Sequence, residues 1–212
     1  MNIVGLLGSP SVASRSAALL QLAQSRLQGV ATQLHTLSLR DLPAEALVQA
    51  QFDHPLIQQA LHEVAQAQVV LVATPIYKAA YSGLLKAFLD LLPQDGLRDK
   101  TVLPLATGGS MAHLLALDYA LKPVLSALGA RDILDPVYAT DPQIPRHPQQ
   151  GYVPAAEVQE RVQRSLQVLI GRADAYQRQL DAAQERDALL ARARGDGAVP
   201  ASWPTRDVRW SV

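Results

Sequence analysis

Two rhythms of apolar and polar residues alternate along the chain. Short apolar runs of strand length occur at 2–7 (NIVGLL), 32–39 (TQLHTLSL), 69–75 (VVLVATP), 101–107 (TVLPLAT) and, more weakly, 133–139 (ILDPVYA). The third is continuous and rich in Val, which is the pattern of a strand buried on both faces of a parallel sheet. Between these runs, apolar residues return at three- and four-residue intervals. Leu19, Leu20, Ala23 and Leu27 share one helical face, and Leu56, Ile57, Ala60, Leu61 and Val64 share another, with Pro55 placed as a first-turn residue. Further helices are predicted near 82–92 and 112–128, and a long one from Glu157 onward with Val158, Val162, Leu166, Leu169 and Ile170 on one stripe. Alternation of strand and helix, joined by right-handed crossovers, gives an α/β fold with an open parallel sheet and helices on both faces.

One predicted helix contains its own interruption. Pro123 lies well inside the pattern HLLALDYALKPVLSAL, where it removes a donor and clashes with the carbonyl of Tyr119, four residues back. An irregularity is expected near Tyr119, and a single widened turn of the π type is one way to absorb it. From Arg192 the periodicity stops. Residues 1–191 therefore read as one domain and 192–212 as a tail rich in Gly, Pro and charge, either disordered or packed on another subunit; Trp203 and Trp210 both fall in it.

Composition narrows the chemistry. A chain of 212 residues is long enough to bury a core without staples, and with no cysteine it has neither disulfides nor thiolate metal sites nor a cysteine nucleophile. Its 19 basic and 19 acidic side chains cancel, so no general field draws in nucleic acid or an anionic membrane. The opening MNIVGLLGSP lacks a basic segment before its apolar run and reads as a first strand, and no stretch approaches the roughly 20 apolar residues that span a bilayer. The expectation is a cytoplasmic protein. The five histidines are scattered without ligand spacing, so no metal site is expected.

In an open parallel sheet, ligands collect beyond the carboxyl ends of the strands. The loops there are GSPSVASRS, TPIYKAAYSG and TGGSMAH. The first leads into a helix N-terminus, where free N–H groups and the dipole favour an anion; Ser9, Ser14 and Ser16 add hydroxyls and Arg15 a guanidinium fork. The alternative is that Ser14 or Ser16 is an ordinary N-cap. The loop has neither G-x-x-x-x-G-K-[ST] nor G-x-G-x-x-G, which leaves a single phosphate group as its expected ligand. Pro75, Ile76 and Tyr77 offer an apolar edge for a flat ring, and Thr107, Gly108 and Gly109 a row of backbone donors for its polar edge. A phosphate cup, an apolar slot and amide donors together describe flavin mononucleotide (FMN).

The stretches GSP with SRS, then more loosely RDLPAE and FDHP, then VATPIYKAAYSGLLKAFLDLLP and VLPLATGGSMAHLLALDYALKPVLSALGA, resemble the NADPH-dependent FMN reductases of the sulfonate-utilisation type, within the flavodoxin-like superfamily. The resemblance runs from residue 1 to about 140 and weakens beyond. It implies a flavodoxin-like three-layer sandwich with a five-stranded parallel sheet in the order 2-1-3-4-5. The activity it implies is hydride transfer from NADPH to FMN, with reduced flavin passed to a partner monooxygenase that desulfonates organosulfonates. It assigns Ser9, Ser14, Arg15 and Ser16 to the phosphate, Pro75, Ile76 and Tyr77 to the ring, and Thr107, Gly108 and Gly109 to its polar edge. It further implies a homo-oligomer, dimer or tetramer, with Tyr119 at a subunit contact near the flavins. Ser11 stands where relatives often carry a basic residue. Lys78 and Lys86 are candidates to meet NADPH phosphates, and no catalytic side chain is expected because the cofactors carry the chemistry. Competing readings are a quinone or azo reductase with tightly bound FMN, a flavodoxin-like electron carrier, and a non-flavin phosphate-binding module.

Overall fold

The computed structural model describes residues 1–195. The chain divides into two units, Met1–Gly171 and Arg172–Val212, and the cavity discussed below is lined by the first alone. In chain order the elements are β1 (Asn2–Leu7), α1 (Arg15–Leu27), β2 (Gln33–Ser38), α2 (Ala44–Val48), α3 (Pro55–Gln66), β3 (Val69–Tyr77), β4 (Ala80–Tyr81), α4 (Gly83–Leu89) and β5 (Thr101–Gly108). They continue with α5 (Lys122–Ala127), β6 (Asp132–Ile133), β7 (Val137–Thr140), the hairpin strands β8 (Arg146–His147) and β9 (Gly151–Tyr152), and α6 (Ala156–Gly195). In the second unit the described residues are the remainder of α6; Trp203 and Trp210 and the end of the expected tail lie outside the described residues.

The sheet runs β2-β1-β3-β5-β6 with parallel neighbours throughout. It has seven strands where five were expected. One addition is β4, which folds back antiparallel on the end of β3 through a two-residue turn, Lys78-Ala79, both at positive φ. That turn geometry ordinarily selects Asn-Gly, so a lysine and an alanine there hold strain of about 1–2 kcal/mol each. The other addition comes from a break in the fifth strand. Thr101 faces Asp132 while Leu105 faces Val137, so one residue more is spent on the outer strand than on β5. Val102 accepts from Leu134 across this edge, at 2.9 Å. The next donor in register would be Pro104, which has no N–H, and Pro136 on the other strand has none either, so the ladder parts between them.

Because successive strand residues point to opposite faces, the buried strands feed two cores. On one face Val70 and Val72 pack with Ile57, Val64 and Phe88; on the other Leu71 and Leu103 pack with Leu19, Leu27, Val158 and Leu166. Each such side chain contributes about 1.5–3 kcal/mol by leaving water. The predicted faces of α1, α3 and α6 are thus the faces that are buried, although Leu56 is half exposed. The helix expected over 112–128 is three pieces: a 3₁₀ turn at Met111–His113, a π-helical segment at Leu117–Leu121, and α5 beginning at Lys122 with Pro123 in its first turn. The widened turn, closed by the Lys122 N–H on the Leu117 carbonyl, thus ends immediately before the proline whose missing N–H interrupts the ladder.

Candidate functional site

The three loops chosen from sequence meet. Ser9, Ser14, Arg15, Ser16, Pro75, Ile76, Tyr77, Thr107, Gly108 and Gly109 all line one cavity of about 330 Å³ at the carboxyl ends of β1, β3 and β5, together with Ser11, Ala13, Asp141 and Tyr152. Tyr119 is not among them; it projects from the π-helical segment with 79% of its surface exposed.

At one end lies the N-terminus of α1. Ser14 is the N-cap, its hydroxyl accepting from the Ala17 N–H at 3.1 Å, so the capping role and the cavity-lining role fall on one residue. The first turn contains no acidic residue, which leaves the helix dipole free to favour an anion. Ser16 is buried and its hydroxyl shares a 2.7 Å hydrogen bond with that of Thr107, which pins α1 to the end of β5. Ser9 is buried too, and its hydroxyl accepts from the Ser11 N–H at 3.3 Å. Arg15 does not point an idle fork into the cavity. Its Nε donates to the Ile144 carbonyl at 3.1 Å, its Nη1 lies 3.2 Å from Asp141 Oδ2, and its guanidinium sits 4.8 Å over the Tyr152 ring.

At the other end Ile76 is buried and Tyr77 half exposed, so the pair presents an apolar wall with an open rim. Ser82 ties this wall to the first loop. Its hydroxyl donates to the Gly8 carbonyl at 2.5 Å and accepts from the Leu85 N–H at 3.1 Å, while its own N–H donates to the Thr74 hydroxyl at 3.0 Å. The expected row of amide donors falls at the carboxyl end of β5. Thr107 and Gly108 are the last two residues of β5, laddered to Pro75 and Thr140, so of the three only Gly109 lies past the strand end. Gly108 instead matters for what it lacks, since a Cβ there would land on the Tyr138 hydroxyl. That buried phenol donates to the Ser110 carbonyl at 2.6 Å, and burial, with Asp141 nearby, holds its pKa above the usual 10.0.

Sequence reasoning missed Asp141 and Tyr152. The one local signal is the capping pattern Thr140-x-x-Gln143, in which Gln143 accepts from the Thr140 N–H at 2.9 Å, and nothing in it connects this turn to a loop at residue 15. Lys86, considered for a nicotinamide phosphate, pairs with Asp90, the residue that follows the last turn of α4. Among the described residues there is no group of His, Cys, Asp and Glu able to hold a metal ion, and no helix long and apolar enough to cross a membrane.

The donor set fits FMN: hydroxyls and a helix N-terminus at one end, a flat apolar wall and a side-chain-free glycine at the other, within the volume range of cofactor pockets.

A model of the family described as NADPH-dependent FMN reductase matches residues 1–143. The chain is 51% identical over 144 residues to an FMN reductase (NADPH) of Escherichia coli strain K12, a match covering 68% of this chain and 75% of that one. It is 35% identical over 144 residues to the NADH-dependent FMN reductase SfnF of Pseudomonas fluorescens, over 66% of this chain and 77% of the other. Among solved structures it resembles the apo form of the NADH:FMN oxidoreductase EMOB, with a TM-score of 0.69 and 38% identity across 77% of this chain and 85% of that one.

Proposed function

This chain belongs to the NADPH-dependent FMN reductase family, and we propose that it binds FMN as a passing substrate, reduces it with a nicotinamide nucleotide, and releases it to a flavin-dependent monooxygenase. It is an oxidoreductase of the NAD(P)H-dependent FMN reductase kind, with FMN and NAD(P)H as its cofactors. The family resemblance supports organosulfonate desulfonation as the setting for that monooxygenase. A single observation carries the site assignment: residues from three separated loops, selected for phosphate, ring and polar edge, line one cavity at the switch edge of the sheet.

FMN, when bound, supplies the acceptor for hydride from the nicotinamide. What the chain does is place it. The α1 N-terminus, Ser9, Ser14, Ser16 and Arg15 hold the phosphate; Pro75, Ile76 and Tyr77 fix the ring plane; Gly109 offers the backbone donor nearest the ring edge. The half-exposed Tyr77 leaves room on the solvent side for a second ring to stack. Tyr119, exposed on its widened turn, is the residue we assign to a contact between copies of the chain.

Steady-state assays with FMN, FAD and riboflavin against NADPH and NADH test the proposal. Free FMN is expected to saturate as a substrate. Arg15→Ala is expected to raise the KM for FMN about tenfold, the range for one charge-assisted contact, with riboflavin unaffected. FMN that co-purifies in equal amount and does not exchange overturns the substrate role and favours the quinone or azo reductase reading.

A further inference from the structure

We propose that Asp141 is a built-in competitor for the Arg15 guanidinium, and that with Tyr152 it sets how loosely the cavity holds the phosphate of its flavin. The inference rests on the reading that this end of the cavity takes the phosphate.

Arg15 is approached from three directions. The Ile144 carbonyl takes its Nε–H at 3.1 Å, Asp141 Oδ2 lies 3.2 Å from Nη1, and the Tyr152 ring underlies the plane with its centroid 4.8 Å from Cζ. A guanidinium has five N–H donors in a rigid fork, so these contacts leave donors over while fixing the direction in which they point. The aromatic face and the carbonyl keep the fork from swinging toward an anion that enters off-centre. Asp141 adds a negative charge on the wall of the same cavity. It opposes an incoming phosphate twice, by neutralising the cation meant to receive it and by repelling it directly. With no acid in the first turn of α1, the carboxylate on this cavity comes from a residue distant in sequence.

The placement is informative. Ile144 and Tyr152 lie beyond residues 1–143, the stretch matched by the family model, on the turn and hairpin that follow β7. The part of the chain outside the family match therefore reaches back and conditions the arginine inside it. For an enzyme whose product must leave, a cup with an opposing charge keeps affinity low without dismantling the hydroxyls that orient the ligand.

The test is titration of the flavin-free protein with FMN and with riboflavin, by flavin fluorescence, at low ionic strength. Asp141→Asn is expected to bind FMN about five- to tenfold more tightly than the unaltered protein, with riboflavin affinity changed by less than about twofold, and the gain is expected to shrink as salt shortens the screening length below about 10 Å. Asp141→Ser, which removes the charge but leaves the Thr140 and Gln143 caps of the short turn in place, is expected to shift FMN affinity in the same direction, so a folding defect in one variant does not decide the matter. Unchanged or weaker FMN binding in both variants overturns the inference and makes Asp141 an orienter of Arg15 instead. Equal tightening of FMN and riboflavin overturns it as well. If the unaltered protein binds FMN no better than riboflavin, the phosphate reading itself falls and this inference with it.

Discussion

Replacing Gly108 with alanine isolates one contact at the floor of the cavity. Gly108 has no positive φ, so an alanine meets no backbone strain there. The whole effect comes from its methyl group, which would overlap the Tyr138 hydroxyl, lie 3.3 Å from Tyr138 Cζ and 3.5 Å from Ile76 Cβ. Restoring ordinary separation requires the phenol to retreat by about 1 Å. Tyr138 is 1% exposed, so it has nowhere to retreat without disturbing its packing. The retreat also breaks the 2.6 Å bond to the Ser110 carbonyl. Overpacking of this kind costs about 1–3 kcal/mol, and a buried hydroxyl left without its partner about 1–3 kcal/mol more. A loss of about 3 kcal/mol is expected, or a fall in Tm of about 6–12 °C for a chain of this size. Thermal unfolding followed by circular dichroism measures it. The decisive comparison is the same substitution in a Tyr138→Phe background. There the obstructing oxygen is gone, and Gly108→Ala is expected to cost at least about 1.5 kcal/mol less than in the parent. An alanine that leaves Tm unchanged, or one that is equally harmful with and without the hydroxyl, refutes the reasoning.

Two further outcomes are expected. Burial raises the Tyr138 pKa above 10.0, so the unfolded chain releases this proton first; the stability it contributes is intact below pH 10 and is lost as pH rises through the folded-state value. Alkaline unfolding monitored at fixed temperature should therefore show a shallower loss above about pH 10 in Tyr138→Phe than in the parent, and parallel curves would contradict the assignment. Tyr119→Ala should lower the assembly state seen by sedimentation and change flavin retention; if both stay as they were, the contact role proposed for Tyr119 is wrong.

Much of the fold could be read from the chain because its strands are buried on both faces. VVLVATP is continuous enough to be placed without ambiguity, and Pro55 marks a helix start by its own chemistry. The irregularity around Tyr119 was legible for the same kind of reason, since Pro123 imposes a local conflict that the backbone has to resolve. What stayed hidden depends on pairs of distant residues. The fifth strand breaks because Pro104 and Pro136 fall at the same level of neighbouring strands, and each proline alone was compatible with an intact edge. The cavity followed a rule of sheet topology and could be found, but the partners of Arg15 could not. Asp141 and Tyr152 reach it through an irregular turn and a two-residue-stranded hairpin, neither of which leaves a periodic signal.

Ser82 adds a side-chain tie between the loops after β1 and β3, beside the backbone bond from the Gly8 N–H to the Ala73 carbonyl at 2.8 Å. One buried hydroxyl holds the backbone of Gly8 and caps α4, and the same residue's N–H holds Thr74. Warming the protein should consequently not fray the pocket piecemeal: flavin capture and the far-ultraviolet signal ought to vanish at one temperature, with no interval in which an intact sheet carries a slack, non-binding mouth.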